Sequence, residues 1–91
     1  MKIITVCGSG LGSSFMLEMN IKKVLKELGI NAEVGHKDLA TVVPEDADIF
    51  VMSKSFDDKV SVPCKITLSN IISLEEIREK LSAELKNRGL L

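Results

Sequence analysis

The chain begins with a β-branched run, Ile3-Ile4-Thr5-Val6, and then its apolar residues change to three- and four-residue spacing at Leu17, Ile21, Val24, Leu25 and Leu28. That change of period takes a strand at about residues 2–6 into an amphipathic helix. Gly29 stops the helix. "INAEVGH" then reads as a second short strand, and "ADIFVM" at 47–52 as an apolar, β-rich run suited to the middle of a parallel sheet. "PCKITL" at 63–68 is a further strand, with Pro63 at its edge, where a missing N–H does least harm. Of the connections, "DLATVVPEDA" is expected to have little regular structure beyond a helical turn, and "SFDDKV" to form a short helix. In the last element Ser73 is the expected N-cap, with Glu76 completing a capping box. Leu74, Ile77, Leu81 and Leu85 share one helix face, and Gly89 closes the helix. Strands alternating with helical segments predict one α/β domain over residues 1–91: a small four-stranded parallel sheet, order 2-1-3-4, with helices on both faces.

A 91-residue chain with 45% apolar residues has enough material for one modest core. Its 13 acidic and 12 basic side chains leave a net charge of −1, too weak a field to steer it onto nucleic acid or an anionic membrane. No apolar run approaches the roughly 18 residues of a membrane span, and "MKIITVCG" enters a strand without a signal-peptide pattern, so a cytoplasmic location is expected. Cys7 and Cys64 lack the spacing and histidine companions of a zinc site, and neither a metal nor an organic cofactor is expected.

In an open parallel sheet, ligands bind outside the carboxyl ends of the strands where strand order reverses, which puts "VCGSGLGSS" (residues 6–14) at the binding edge. Gly8, Gly10 and Gly12 allow backbone conformations that turn successive N–H groups inward as an anion nest. Ser13 and Ser14 are placed to cap the following helix, whose own amides and dipole also favour negative charge. Cys7 at the mouth of this nest has its thiolate favoured by the same donors and becomes a nucleophile for phosphorus. The competing role for Cys7 is a small buried hydrophobe at a strand end.

Three familiar phosphate motifs fit less well. A dinucleotide fingerprint needs glycine at position 13, where Ser13 stands, although Glu33 imitates the ribose-binding acid. A Walker A loop needs a lysine, and none lies between Lys2 and Lys22. A cysteine phosphatase loop, C-x5-R-[ST], matches Cys7 and Ser14 but lacks arginine at 13, and without that bidentate donor transfer is favoured over hydrolysis. The stretch "ITVCGSGLGSSFMLEMNIKKVLKELGI" instead resembles the IIB components of the bacterial phosphoenolpyruvate-dependent sugar phosphotransferase system. It is most similar to the ascorbate type, a relative of the galactitol and lactose/cellobiose types. The resemblance implies that Cys7 accepts phosphate from a histidine of a IIA component and passes it to a sugar held by the membrane permease IIC. It also implies that Gly8, Ser9, Gly10, Leu11, Gly12, Ser13 and Ser14 form the phosphate loop. The alternative from another class is a non-catalytic module that binds phosphate or a nucleotide through the same loop.

With the apolar face of the first helix turned inward, Phe15 and Met19 fall on the opposite face with Lys22 and Lys26, an expected docking patch for a partner. Lys54 follows the third strand, which brings its ammonium or the backbone of "SKS" towards the phosphate; it is a further docking candidate, and the competing role is a solvated surface lysine. His36, at the end of the second strand, is a phosphoryl relay or a surface histidine, and Asn70 is a weaker loop candidate. Cys64, at the amino end of the fourth strand, is expected to be core packing. The protein is expected to act as a monomer that meets its partners transiently.

Overall fold

The computed structural model describes residues 1–8 and 11–91, with only the backbone course for residues 11–14. Four strands, β1 (Lys2–Cys7), β2 (Glu33–Asp38), β3 (Ile49–Ser53) and β4 (Lys65–Leu68), alternate with two α-helices, α1 (Leu11–Leu28) and α2 (Leu74–Asn87). Two 3-10 turns, η1 (Pro44–Asp46) and η2 (Lys54–Phe56), lie in the connections on either side of β3. The sheet is parallel throughout, in the order β2-β1-β3-β4.

The helical cover is uneven between the faces. Leu17, Ile21, Val24 and Leu25 of α1 share one core with Ile77, Leu81 and Leu85 of α2 and with Ile3, Ile49, Val51 and Leu68 of the sheet. The opposite core, around Ile4, Val6, Phe50 and Met52, is closed by η2 and the loops, through Leu39, Val42, Phe56 and Val60. Right-handed crossovers account for this division. The chain steps one way along the sheet from β1 to β2 and the other way from β2 to β3 and β4, so the later connections fall on the face away from α1. Those connections, residues 39–48 and 54–64, carry Pro44 and Pro63 and stop at a single 3-10 turn each.

Both helices end as the glycines demand. Gly29 and Gly89 have φ of 72° and 75°, in the left-handed region where a side chain is disfavoured. In each case the next amide reaches back five residues, Ile30 to the Leu25 carbonyl at 3.0 Å and Leu90 to the Leu85 carbonyl at 2.9 Å, closing a Schellman motif. The first of these turns uses Ile30, and β2 therefore starts at Glu33, later than "INAEVGH" would place it. No helix among the described residues is long and apolar enough to cross a membrane.

Candidate functional site

The strand order reverses between β1 and β3, and a crevice opens beyond their carboxyl ends. There Cys7, the last residue of β1, lines a cavity of about 210 Å3 together with Ser53 and Ser55 from the end of β3 and its following turn. Val6, Leu17, Phe56 and Ile71 make its apolar walls. Four separate chain segments thus meet around one sulfur atom.

Cys7 was expected at the mouth of a loop; the structure sets it in the strand, paired in register with Asp38 and only 4% exposed. Its side chain shares the α1-facing side of β1 with Ile3 and Thr5, by the alternation of a strand. The thiol donates to the Lys37 carbonyl at 3.4 Å. The buried thiol lines the cavity.

The loop also differs from its expected extent. α1 starts at Leu11, so Leu11, Gly12, Ser13 and Ser14 form its first turn and not an irregular loop, and Ser13 and Ser14 stand inside the helix rather than at its cap. The first amides of any helix have no intrahelical partner, so this turn still presents donors. Ser9 and Gly10 lie outside the described residues, and so does the part of the expected anion nest that they would form. Gly8 does not have positive φ. A Cβ there would sit a tight 3.2 Å from Cζ of Phe56, so the ring of η2 packs directly over the residue that follows the cysteine.

Phe15 and Met19 are 59% and 56% exposed, and Met16 beside them is 51% exposed, so the outer face of α1 near the crevice is apolar as the helical spacing implied. Lys54 is exposed at the start of η2, outside the cavity lining, whereas its two serine neighbours are within it. His36 was expected at the end of the second strand, but β2 continues to Asp38 and His36 pairs with Thr5 within it; its Nδ1 lies 2.7 Å from Oε1 of Glu18, which joins β2 to α1. Burial works to raise the Glu18 pKa, but the hydrogen bonds of His36 and Lys22 and their charges outweigh it and hold the carboxyl below its ordinary value. Cys64 lies at the far end of the sheet from the crevice, just before β4. Burial pushes its thiol up, against the nearby Arg88, and keeps it protonated.

The fourth segment of the crevice is held by a residue whose position was legible but whose contacts were not. Ser73 caps α2 as expected, accepting the Glu76 amide at 3.2 Å. Glu76, however, does not return to the cap. Its carboxylate accepts the amides of Ser69 at 2.7 Å and Asn70 at 2.9 Å, and pairs with Lys80 at 3.0 Å. Asn70 in turn accepts the Ile72 amide through Oδ1 at 3.1 Å, so the β4–α2 loop that presents Ile71 is wound around these two side chains. The two backbone donors and then Lys80 lower the Glu76 pKa to about 2. A carboxyl depressed by folding from 4.5 to about 2 contributes stability that is complete above about 4.5 and is lost as pH falls towards 2. Glu76→Gln is therefore expected to be less stable than the parent at neutral pH, with the difference closing between pH 4.5 and 2 in urea melts. A gap that stayed constant through that window would show that the carboxylate charge plays no part.

Comparisons with known proteins agree with this architecture. The chain is 28% identical over 88 residues to the "Ascorbate-specific PTS system EIIB component" of Mycoplasma pneumoniae, covering 91% of this chain and 93% of that protein. It is 36% identical over 92 residues to the "PTS system mannitol-specific cryptic EIICB component" of Escherichia coli, of whose length it spans only 20%. Among solved structures it resembles the lactose-specific IIB component domain of the phosphotransferase system of Streptococcus pneumoniae, with a TM-score of 0.59, 12% identity and coverage of 94% of this chain and 95% of the other. It also resembles a low molecular weight protein tyrosine phosphatase of Bacillus subtilis, with a TM-score of 0.56, 17% identity and coverage of 96% and 98%. At those identities the two structures speak to the fold alone. The family model for the lactose/cellobiose-specific IIB subunit of the PTS matches residues 2–83, and the chain belongs to that family.

Proposed function

We propose that this IIB subunit carries a phosphoryl group on Cys7, receiving it from a phosphohistidine of a IIA component and passing it to ascorbate held by a IIC permease. The observation that carries this reading is the position of Cys7, the last residue of β1 and part of a cavity at the switch point of the sheet. In the first step the sulfur attacks phosphorus, an S–P bond forms and the N–P bond of the donor breaks, its electron pair returning to the imidazole. The thiol proton, held towards the Lys37 carbonyl in the resting protein, ends on that imidazole nitrogen. In the second step a sugar hydroxyl attacks, the S–P bond breaks and sulfur leaves as thiolate, while the hydroxyl proton passes to a base of the acceptor site. Amides from the first turn of α1 and the preceding loop would stabilise the phosphoryl oxygens in both steps.

The choice of ascorbate is supported by the Mycoplasma relative, which is matched over 93% of its length, whereas the mannitol relative is matched over 20%. The name EIICB of the latter joins the C and B units and supports a IIC permease as acceptor. The test has two stages. Incubation with a phosphorylated donor, read by intact mass, is expected to add one phosphate to the protein. The phosphorylated protein is then offered to vesicles containing the permease with labelled ascorbate, lactose or mannitol, and label is expected in ascorbate phosphate. Phosphate appearing in lactose or mannitol instead would reject the substrate, and steady release of free phosphate without any acceptor would favour a phosphatase.

The exposed face of Phe15 and Met19, with Lys22 and Lys26 at its border, is proposed as the docking face for the IIA donor, with Lys54 contributing from η2. Exposed apolar side chains leave a fold largely unaffected when truncated, so Phe15→Ala with Met19→Ala is expected to slow phosphoryl exchange with the donor by about tenfold or more while leaving the melting temperature near that of the parent. Unaltered exchange kinetics would remove this face from the interface.

A further inference from the structure

We infer that the hydroxyls of Ser53 and Ser55 form a second wall of the phosphoryl site, donating to oxygens of the group on Cys7 from the carboxyl end of β3 and the turn that follows it. The inference rests on the carrier reading and adds to it two residues that the glycine loop does not contain. Three observations converge on them. Both serines line the cavity that Cys7 lines, and among its described lining residues they are the polar side chains other than the thiol, set against Val6, Leu17, Phe56 and Ile71. They are already organised: the two hydroxyl oxygens are 3.0 Å apart, and the Ser55 amide donates to the Ser53 oxygen at 3.4 Å. With the Ser53 oxygen accepting from that amide, at least one hydroxyl proton of the pair remains to be given outward. Finally, the turn that carries them is fixed relative to the cysteine, because β3 pairs with β1 and the Phe56 ring packs over Gly8.

A cavity of about 210 Å3 has room for a phosphoryl group, and its apolar walls strengthen each hydrogen bond to an anionic oxygen. Ser55 is exposed and Ser53 half-buried, so both hydroxyls can turn towards an incoming ligand without repacking the core. Lys54, whose charge made it the more obvious choice, stands outside the cavity between them.

The test uses inorganic phosphate as probe, followed by NMR of the backbone amides, on the parent, Ser55→Ala and the Ser53→Ala/Ser55→Ala pair. The double variant is expected to bind phosphate about tenfold more weakly, as befits lost hydrogen bonds to a charged group, and Ser55→Thr to restore much of the single-variant loss. In the phosphorylated protein the phosphorus-31 resonance of phosphocysteine is expected to move in the alanine variants, a change that altered stability alone would not produce. Phosphate affinity unchanged in both alanine variants would overturn the inference, even if Cys7 is phosphorylated normally. If the donor leaves the parent Cys7 unmodified while phosphate affinity still falls in the variants, the carrier reading fails and the serine wall stands.

Discussion

Cys7→Ser is expected to abolish phosphoryl transfer, by a factor of at least about a thousand, in a protein that still folds. The two halves of that expectation have separate physical causes. A serine hydroxyl is a weak nucleophile without an adjacent base, and the hydrogen bond of the Cys7 side chain runs to the Lys37 carbonyl, while His36 is engaged with Glu18. Folding survives because the substitution is nearly isosteric and the new hydroxyl can still donate to the Lys37 carbonyl, as the thiol does. Intact mass after incubation with phosphorylated donor, alongside a thermal melt, checks both halves. A variant that melts like the parent and still acquires phosphate would move the carrier site to another residue. Cys64 is the other thiol, and one whose pKa is pushed up by burial at the opposite end of the sheet is poorly suited to the role.

Phe50→Ala should have the largest effect on stability. Phe50 is fully buried at the centre of the core that lacks an α-helix, in contact with the cluster of Ile4, Val6, Met52 and Val60. Its truncation removes a large apolar group and leaves a void that paired β-strands cannot collapse to fill, at a cost of about 3–5 kcal/mol. That is comparable with much of the total stability of a domain this size, roughly 5–10 kcal/mol. The melting temperature should fall by at least about 12 °C, at ~4–8 °C per kcal/mol. A drop of only a few degrees would mean that the loops over this face close onto the space left behind.

What the sequence made legible follows from how local each signal is. The β-branched run at Ile3–Val6 and the apolar run at 49–52 specify central parallel strands without outside help, and with right-handed crossovers they leave little freedom in strand order. The helix ends were equally plain, since Gly29 and Gly89 occupy backbone conformations that a side chain disfavours. The start of α1 was harder to read. Gly12 and the two serines look like loop, and only the surrounding fold makes them the first turn of a helix. Glu76 illustrates the same divide: its spacing from Ser73 predicted a capping box, while the carboxylate instead gathers two amides of the β4–α2 loop, a choice set by where β4 ends. Of the candidate site, the residues around Cys7 singled it out, but its burial as the last residue of β1 was not legible. Ser53 and Ser55 were marked only through Lys54 and the backbone of "SKS", not by their side chains, and Phe56 and Ile71 were not marked at all. They reach the cysteine only through the pairing of β3 with β1 and of β4 with β3.

The unequal covering of the sheet also bears on how the crevice can accommodate successive partners. Elements held by few buried side chains open locally at lower free energy than long packed helices. One wall of the crevice belongs to the helical layer, through Leu17, and another to the thin layer, through Phe56. Local opening at the crevice is thus expected from the loops of the thin layer before the helical layer, with the end of β3 held by its pairing to β1.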